Sequence, residues 1–480
     1  MKSLFLFFGG LFYWKRSEVM IQPNVKVKQG FLDKYFSGEA IDYRQIISLF
    51  IPILIDQAFV VGLNLINTAM ISSAGVAAVS AVNMIDSLNI FLISVLIAVA
   101  TGGTVVVAQY KGSGNLLMVS KATAGAVSSV SLLALFVGLF GILFHGPLLH
   151  LLFGAAEPDV MANARTYLIG SSISYLGIAV VEAVCGALRG TGRTRASLVL
   201  SLIMNLIYVL LNLVFINLLQ MGVLGMTISI NAARYLGAAC ALYYLFRMDS
   251  SLHIKIRDIL TFNLSMLKKI MFIGLPFAAE QMFFNGGKIL TQIFIVSLGT
   301  YAIATNAICS ALAGVMQIPA NALALTIITV VGQCIGRENV RDARKFTKSF
   351  IVASSLSFAV MGLLILPLFN PLVSLFNPPA EIVDDIFWIV LINTLAQIPL
   401  WSLSFIMPSA LRAAGDSKFT SIVSMLSMWL FRVVLGYILG IVLHLGILGV
   451  WLAMDCEWAV RGAIFLKRFL GKKWYQHRLI

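Results

Sequence analysis

The sequence predicts an all-α integral membrane protein with twelve transmembrane helices in two pseudo-symmetric six-helix bundles. Three observations carry that expectation. The composition is too apolar for a soluble globule, twelve apolar windows are long enough to span a bilayer, and an internal repeat divides the chain in two.

Of the 480 residues 60% are hydrophobic and only 11% charged, with a mean hydropathy of +0.95. That leaves too little polar surface to cover a water-soluble fold. A spanning helix needs about 20 mostly apolar residues. The chain supplies such windows near 45–72, 76–110, 117–145, 158–188, 194–217, 222–246, 269–298, 301–335, 346–370, 380–411, 418–443 and 446–468. Several exceed the minimum, which implies tilt or extension into water.

Lys and Arg are retained on the cytoplasmic side of short loops. With both termini inside, all but four of the 34 cationic residues fall in the inner segments, the four being Arg165, Arg234, Lys288 and Arg432. The net charge of +14 sits in these loops with no basic aromatic module, so it reads as topology and not as a nucleic-acid surface. The expectation is a multi-pass protein of the cell membrane with both termini cytoplasmic. The apolar run from Ser3 to Trp14 is too short to span and lacks a small-residue cleavage site, so it reads as an interfacial anchor.

A shift of 224 residues places Pro52 on Pro276, Asp56 on Glu280, Gln57 on Gln281 and Gly75 on Gly299; Gln109, Gly112 and Asn115 fall on Gln333, Gly336 and Asn339. At a shift of 223, ALRGTGRT from Ala187 meets ALRAAGDS from Ala410. The chain is therefore read as an inner segment 1–44, an N-lobe 45–246, a linker 247–268, a C-lobe 269–468 and a tail 469–480. Six helices per repeat is an even number, so the copies enter the membrane in the same sense. They are then related by an axis along the membrane normal, an arrangement suited to lobes that rock around a central site.

An ionisable group near the bilayer centre costs about 2.5 kcal/mol or more, so each one needs a partner, a cavity or a function. Six acids qualify: Asp56, Asp86, Glu182, Glu280, Asp455 and Glu457. Glu457 and Arg461 have the i,i+4 spacing of a helical ion pair, and Asp455, on another face, is expected to meet Arg432. Asp56 and Glu280 recur in both lobes, each one turn beyond a proline, which frees backbone carbonyls. A carboxylate in such a site can exchange a proton near neutral pH, or carbonyls around it can favour sodium. The alternative is that neighbouring Gln, Asn or Thr simply satisfy it. Asp86 and Glu182 align with Ser310 and Phe405 in the second repeat; they either join Asp56 or line a wet cleft. Gln57, Asn64, Asn67, Gln281, Asn285 and Lys288 complete the candidate cavity, Asn64 standing where the C-lobe has Lys288.

The five histidines fall outside or at the ends of spans, so no catalytic constellation is expected, and no phosphate-binding loop supports ATP-driven transport. The five cysteines contain no CxxC pair and suggest neither a disulfide framework nor a metal site.

The paired PxxxxQ helices, the loops AGVAAVSAVNM and LGTYAIATNAI and the motif pair ALRGTGRT and ALRAAGDS resemble the multidrug and toxic compound extrusion transporters over roughly 45–470. That resemblance implies a V-shaped pair of bundles and export of cationic, amphipathic compounds in exchange for protons or sodium. Glu280 then falls in the acidic region of the seventh helix that the family uses for coupling. Many members carry an aspartate where Asn67 stands, and some carry one near Leu400 and Trp401, so both coupling ions stay open. The expected partners are small organic cations and membrane lipid, with a monomeric chain and no cofactor. The alternative reading is a lipid-linked saccharide flippase of a related two-lobe fold.

Overall fold

The computed structural model describes residues 31–72, 75–153, 157–248, 254–261, 263–477 and 479. It is built from twelve long helices. The first six are α1 (Tyr43–Ser72), α2 (Val76–Gly112), α3 (Leu116–Leu143), α4 (Pro158–Thr191), α5 (Thr194–Leu218) and α6 (Gly222–Tyr243). The second six are α7 (Leu264–Ser297), α8 (Thr300–Gly336), α9 (Val340–Ile365), α10 (Ala380–Ala413), α11 (Ser417–Val442) and α12 (Gly446–Leu470).

Among the described residues, nine of these are apolar enough over a sufficient length to cross a membrane. The exceptions, α6, α7 and α12, carry Arg234, Glu280 and Lys288, and Asp455, Glu457 and Arg461. Their polar cargo lowers the hydropathy, and that of α7 and α12 makes contacts described below.

The repeat is visible in the turns. Gly75 and Gly299, with φ of 96° and 98°, occupy the same left-handed position before α2 and α8, a conformation that a side chain would strain. Asn115 and Asn339 cap α3 and α9, each side chain accepting the backbone N–H three residues on, from Met118 and Asp342. That cap corrects the predicted ninth span: the helix starts at Val340, not near 346, because the polar stretch VRDARKFTK is already its first turns. Pro52, Pro276 and Pro319 lie inside continuous helices. Around Pro399, α10 instead widens into a π-helical stretch from Gln397 to Ile406, as happens where a missing N–H disrupts the regular ladder.

The short helix Phe31–Phe36 and the segment 37–42 after it are tied to α9 and to the turn before it. Ser349 Oγ donates to the Tyr35 carbonyl at 2.6 Å, Lys345 Nζ to the Ser37 carbonyl at 2.5 Å, and Arg337 Nη1 to the Ala40 carbonyl at 2.7 Å. The anchor expected over Ser3–Trp14 lies outside the described residues.

The two lobes meet along α2, α7 and α8. A Cβ on Gly112 would collide with the backbone carbonyl of Gln333, and one on Gly336 with that of Gln109. Both obstacles are backbone atoms of the facing helix and cannot rotate away. Gly336→Ala therefore costs the closed arrangement about 1–3 kcal/mol, the usual size of overpacking. Spin labels at the exposed positions Lys121 and Lys418 are expected to move apart in this variant. Gly286→Ala, whose Cβ would meet nothing within 4 Å, should leave their distance unchanged.

Candidate functional site

The seam between the lobes is polar on a pseudo-twofold plan. Gln109 Nε2 of α2 donates to the Ala413 carbonyl at the end of α10, at 2.8 Å. Its repeat partner Gln333 of α8 donates to the Gly190 carbonyl near the end of α4, at 3.1 Å. Thr329 Oγ1 donates to the Arg189 carbonyl at 3.0 Å, and Lys269 Nζ to the Tyr110 hydroxyl at 2.7 Å. Further from the basic end, Asn285 Nδ2 donates to Ser94 Oγ at 3.0 Å. Buried amides need such partners, so these bonds fix which helix ends touch when the basic end is shut.

Immediately behind the seam each lobe holds an acid and an arginine. In the C-lobe Glu280 Oε2 accepts from Arg412 Nη2 at 2.9 Å and from Ser421 Oγ at 3.0 Å. Arg412, almost fully buried, lies 3.6 Å above the Phe277 ring. In the N-lobe the arginine at the matching motif position is Arg189. Its guanidinium reaches Glu182 at 3.6 Å and Ser197 Oγ at 3.4 Å. Asp56 lies in the field of the same arginine, and the Ser201 hydroxyl meets it. One Asp56 oxygen is buried with no hydrogen-bond partner among the described residues.

The lobes therefore differ in charge balance. Glu280 and Arg412 pair one to one. In the N-lobe Glu182 takes the one guanidinium and Asp56 feels only its field, which leaves that cluster an excess negative charge when both are ionised.

Asp86 stands in a different network. It accepts from the Tyr167 hydroxyl at 2.9 Å and from Asn89 Nδ2 at 3.2 Å, while Asn89 takes the Tyr175 hydroxyl at 2.7 Å. Of the two acids left open by the sequence, Glu182 is the one brought to Asp56. Gln57 and Gln281 are partly buried beside their acids. Asn64 and Asn67 lie outside the residues whose side chains are described.

The C-lobe interior holds a further cluster. Glu457 bridges Arg432 Nε at 2.6 Å and Arg461 Nη1 at 2.9 Å, the second being the expected i,i+4 pair. Asp455 does not take Arg432 as the sequence suggested. Its partner is Asn393 Nδ2 at 2.9 Å, because Glu457, two positions on, already holds the guanidinium. Lys288 faces a cavity of about 420 Å³ whose lining also includes Arg432.

Arg189 and Arg412 were missed as site residues because each lies within a few residues of an inner helix end and counts toward the basic loops. The signal was present: the matched motifs put an arginine at the same place in both repeats, as they do an acid.

The MatE family model matches residues 52–214 and 276–438, once in each half. The chain is 26% identical over 438 residues to the uncharacterized transporter YisQ of Bacillus subtilis, which covers 89% of this chain and 94% of that protein. The probable multidrug resistance protein NorM of Thermotoga maritima is 24% identical over 444 residues, covering 91% and 94%. A solved structure described as the outward-facing conformation of a multidrug resistance MATE family transporter superposes with a TM-score of 0.80 at 19% identity, covering 92% of this chain and 99% of that one.

Removing one partner of a buried ion pair strands the other and costs about 3–5 kcal/mol. Glu280→Gln is accordingly expected to lower the unfolding midpoint by many degrees. Asp56→Asn, which relieves an excess negative charge and strands no cation, should change it little. Thermal unfolding of the two purified variants in the same lipid checks the contrast.

Proposed function

The chain belongs to the MatE family of membrane transporters, and on that premise we propose that it is a secondary active antiporter exporting amphipathic organic cations across the cell membrane. Protons or sodium ions return in exchange. The observation that carries the reading is the link between the N-lobe acids and the seam. Arg189 pairs with Glu182 and lies within electrostatic reach of Asp56, and its own backbone carbonyl accepts Thr329 from the other lobe.

The steps follow from charge. With the N-lobe acids free of bound cation, two carboxylates compete for Arg189 and hold its side chain inward. A proton or sodium ion on Asp56 removes the competition, and Arg189 settles on Glu182. The shift is felt at Arg189 and Gly190, the carbonyls that Thr329 and Gln333 hold. The seam bonds are individually weak, about 0.5–1.5 kcal/mol net each. A differential binding energy of a few kcal/mol is enough to open or close such a seam.

Orientation follows from the Lys and Arg distribution, which favours both termini in the cytoplasm. The basic end that the seam closes is then the inner one, so the cleft in this arrangement faces out. An organic cation released there meets no barrier, and the acids it leaves become free for the coupling ion. Organic cations are thereby drawn to the lobe that carries unmatched carboxylates, while Glu280 holds Arg412 in the other.

Ethidium export from proteoliposomes, with a proton or a sodium gradient imposed separately, checks the assignment. The wild-type protein is expected to respond to one gradient. Asp56→Asn should cut gradient-driven export at least about tenfold, the size of one lost charge-dependent step of about 1.4 kcal/mol, while remaining folded. Export unchanged in Asp56→Asn would overturn the role given to this acid.

A further inference from the structure

The cavity inside the C-lobe carries chemistry that the export of cations does not use. Lys288 of α7 and Arg432 of α11 both line it, and no Asp or Glu does. The two cations converge on one ring: Lys288 Nζ lies 4.8 Å from the centroid of Phe284, and the Arg432 guanidinium carbon 5.3 Å. Arg432 gives its Nε to Glu457, but that carboxylate is divided between Arg432 and Arg461. Among the described residues Lys288 has no ion-pair partner.

Part of the remaining wall is aromatic, beside the amides Gln292, Asn306, Gln317 and Asn321. Trp401 and Phe405 stack at 4.6 Å, and Trp458 meets Phe405 edge-on at 6.2 Å. Trp458 is 3% exposed, and its indole N–H is sealed from solvent with no acceptor among the described residues. A buried donor without a partner is uncommon in a finished structure. The cavity therefore offers an aromatic face and two charged donors, with no acidic side chain lining it.

The repeat sharpens the contrast. Three cavity residues, Lys288, Ser310 and Phe405, correspond to Asn64, Asp86 and Glu182 of the first repeat. At the same three places one lobe carries a lysine and no acid, and the other carries two acids and no base. Lys288 is an exposed cation in the wall of this cavity, and no acid lines the cavity to take up its charge where the duplicate has a neutral residue.

We propose that the C-lobe cavity is a binding site for the anionic group of an aromatic compound, such as an aryl carboxylate. The acid group sits between Lys288 and the free side of Arg432, and the ring lies against Trp401 and Phe405. A transporter with carboxylates in one lobe and this slot in the other is matched to amphipathic compounds that carry both signs. The binding claim itself does not depend on export.

The test is equilibrium binding of tritiated 2-naphthoate to the full-length protein in lipid nanodiscs, with empty nanodiscs subtracted and 2-naphthamide as the neutral competitor of equal shape. The acid is expected to bind at least about tenfold more tightly than the amide, as a charge-assisted pair requires. Lys288→Asn, which installs the residue of the first repeat and strands no partner, should abolish that preference; Lys288→Arg should keep it. Equal binding of acid and amide by the wild-type protein would overturn the proposal, as would a preference that survives Lys288→Asn. No gradient is used, so a failure here and a failure of ethidium export are separate results.

Discussion

The two glutamines at the seam are the constraint on which the architecture turns. Gln109 and Gln333 each reach across to a backbone carbonyl at the end of a helix in the other lobe, and each lies three residues before a glycine whose missing Cβ lets the facing backbone approach. An amide buried in such a crossing has to bond, and leaving it unmade costs about 1–3 kcal/mol. The pairing therefore holds the lobes in one register at the basic end. The same bonds are weak in net terms, because an opened seam gives both partners water. A joint that is specific when dry and cheap to open when wet is what two rocking bundles require.

Behind that joint the lobes have diverged in how they satisfy the same residues. Glu280 carries one methylene more than Asp56 and closes on its arginine at 2.9 Å. Asp56 is shorter, and the nearest acid to Arg189 is instead Glu182, at 3.6 Å. The longer side chain makes a neutral, hydrogen-bonded pair that stabilises the C-lobe only to the extent that its Coulomb energy exceeds the desolvation of both ions. The shorter one leaves a buried oxygen without a partner among the described residues. A group in that condition responds to a proton or a cation, whereas a closed pair resists both.

Much of this was legible in the sequence because the two strongest signals, hydropathy and repetition, are one-dimensional. Eleven of the twelve long helices end within about five residues of their apolar windows, the usual margin for helix ends, since lipid-facing windows need no knowledge of neighbours. The ninth helix began earlier than its apolar window because a polar first turn at an inner end is helical for reasons of capping, which the Asn339 side chain supplies. Side-chain partners were less legible. Asp455 and Glu457 are two residues apart, and only packing decides which of them faces Arg432. Arg189 and Arg412 looked like loop cations by position, and only three dimensions turn them back onto the acids.

The opposite charge of the two interiors is also easier to understand once the lobes face each other. If duplication had preserved the acids of the first repeat, both walls of the cleft would repel each other whenever both were ionised, and a low-dielectric gap screens such repulsion poorly. Replacing Asp86 and Glu182 by Ser310 and Phe405, and Asn64 by Lys288, removes that repulsion and adds a cation. The field then runs across the cleft from one lobe to the other. Pseudo-symmetry survives where both lobes do the same mechanical work, at the glycines, caps and glutamines of the seam. It is lost where they bind, because a compound in the cleft has two different ends and is held best by two different walls.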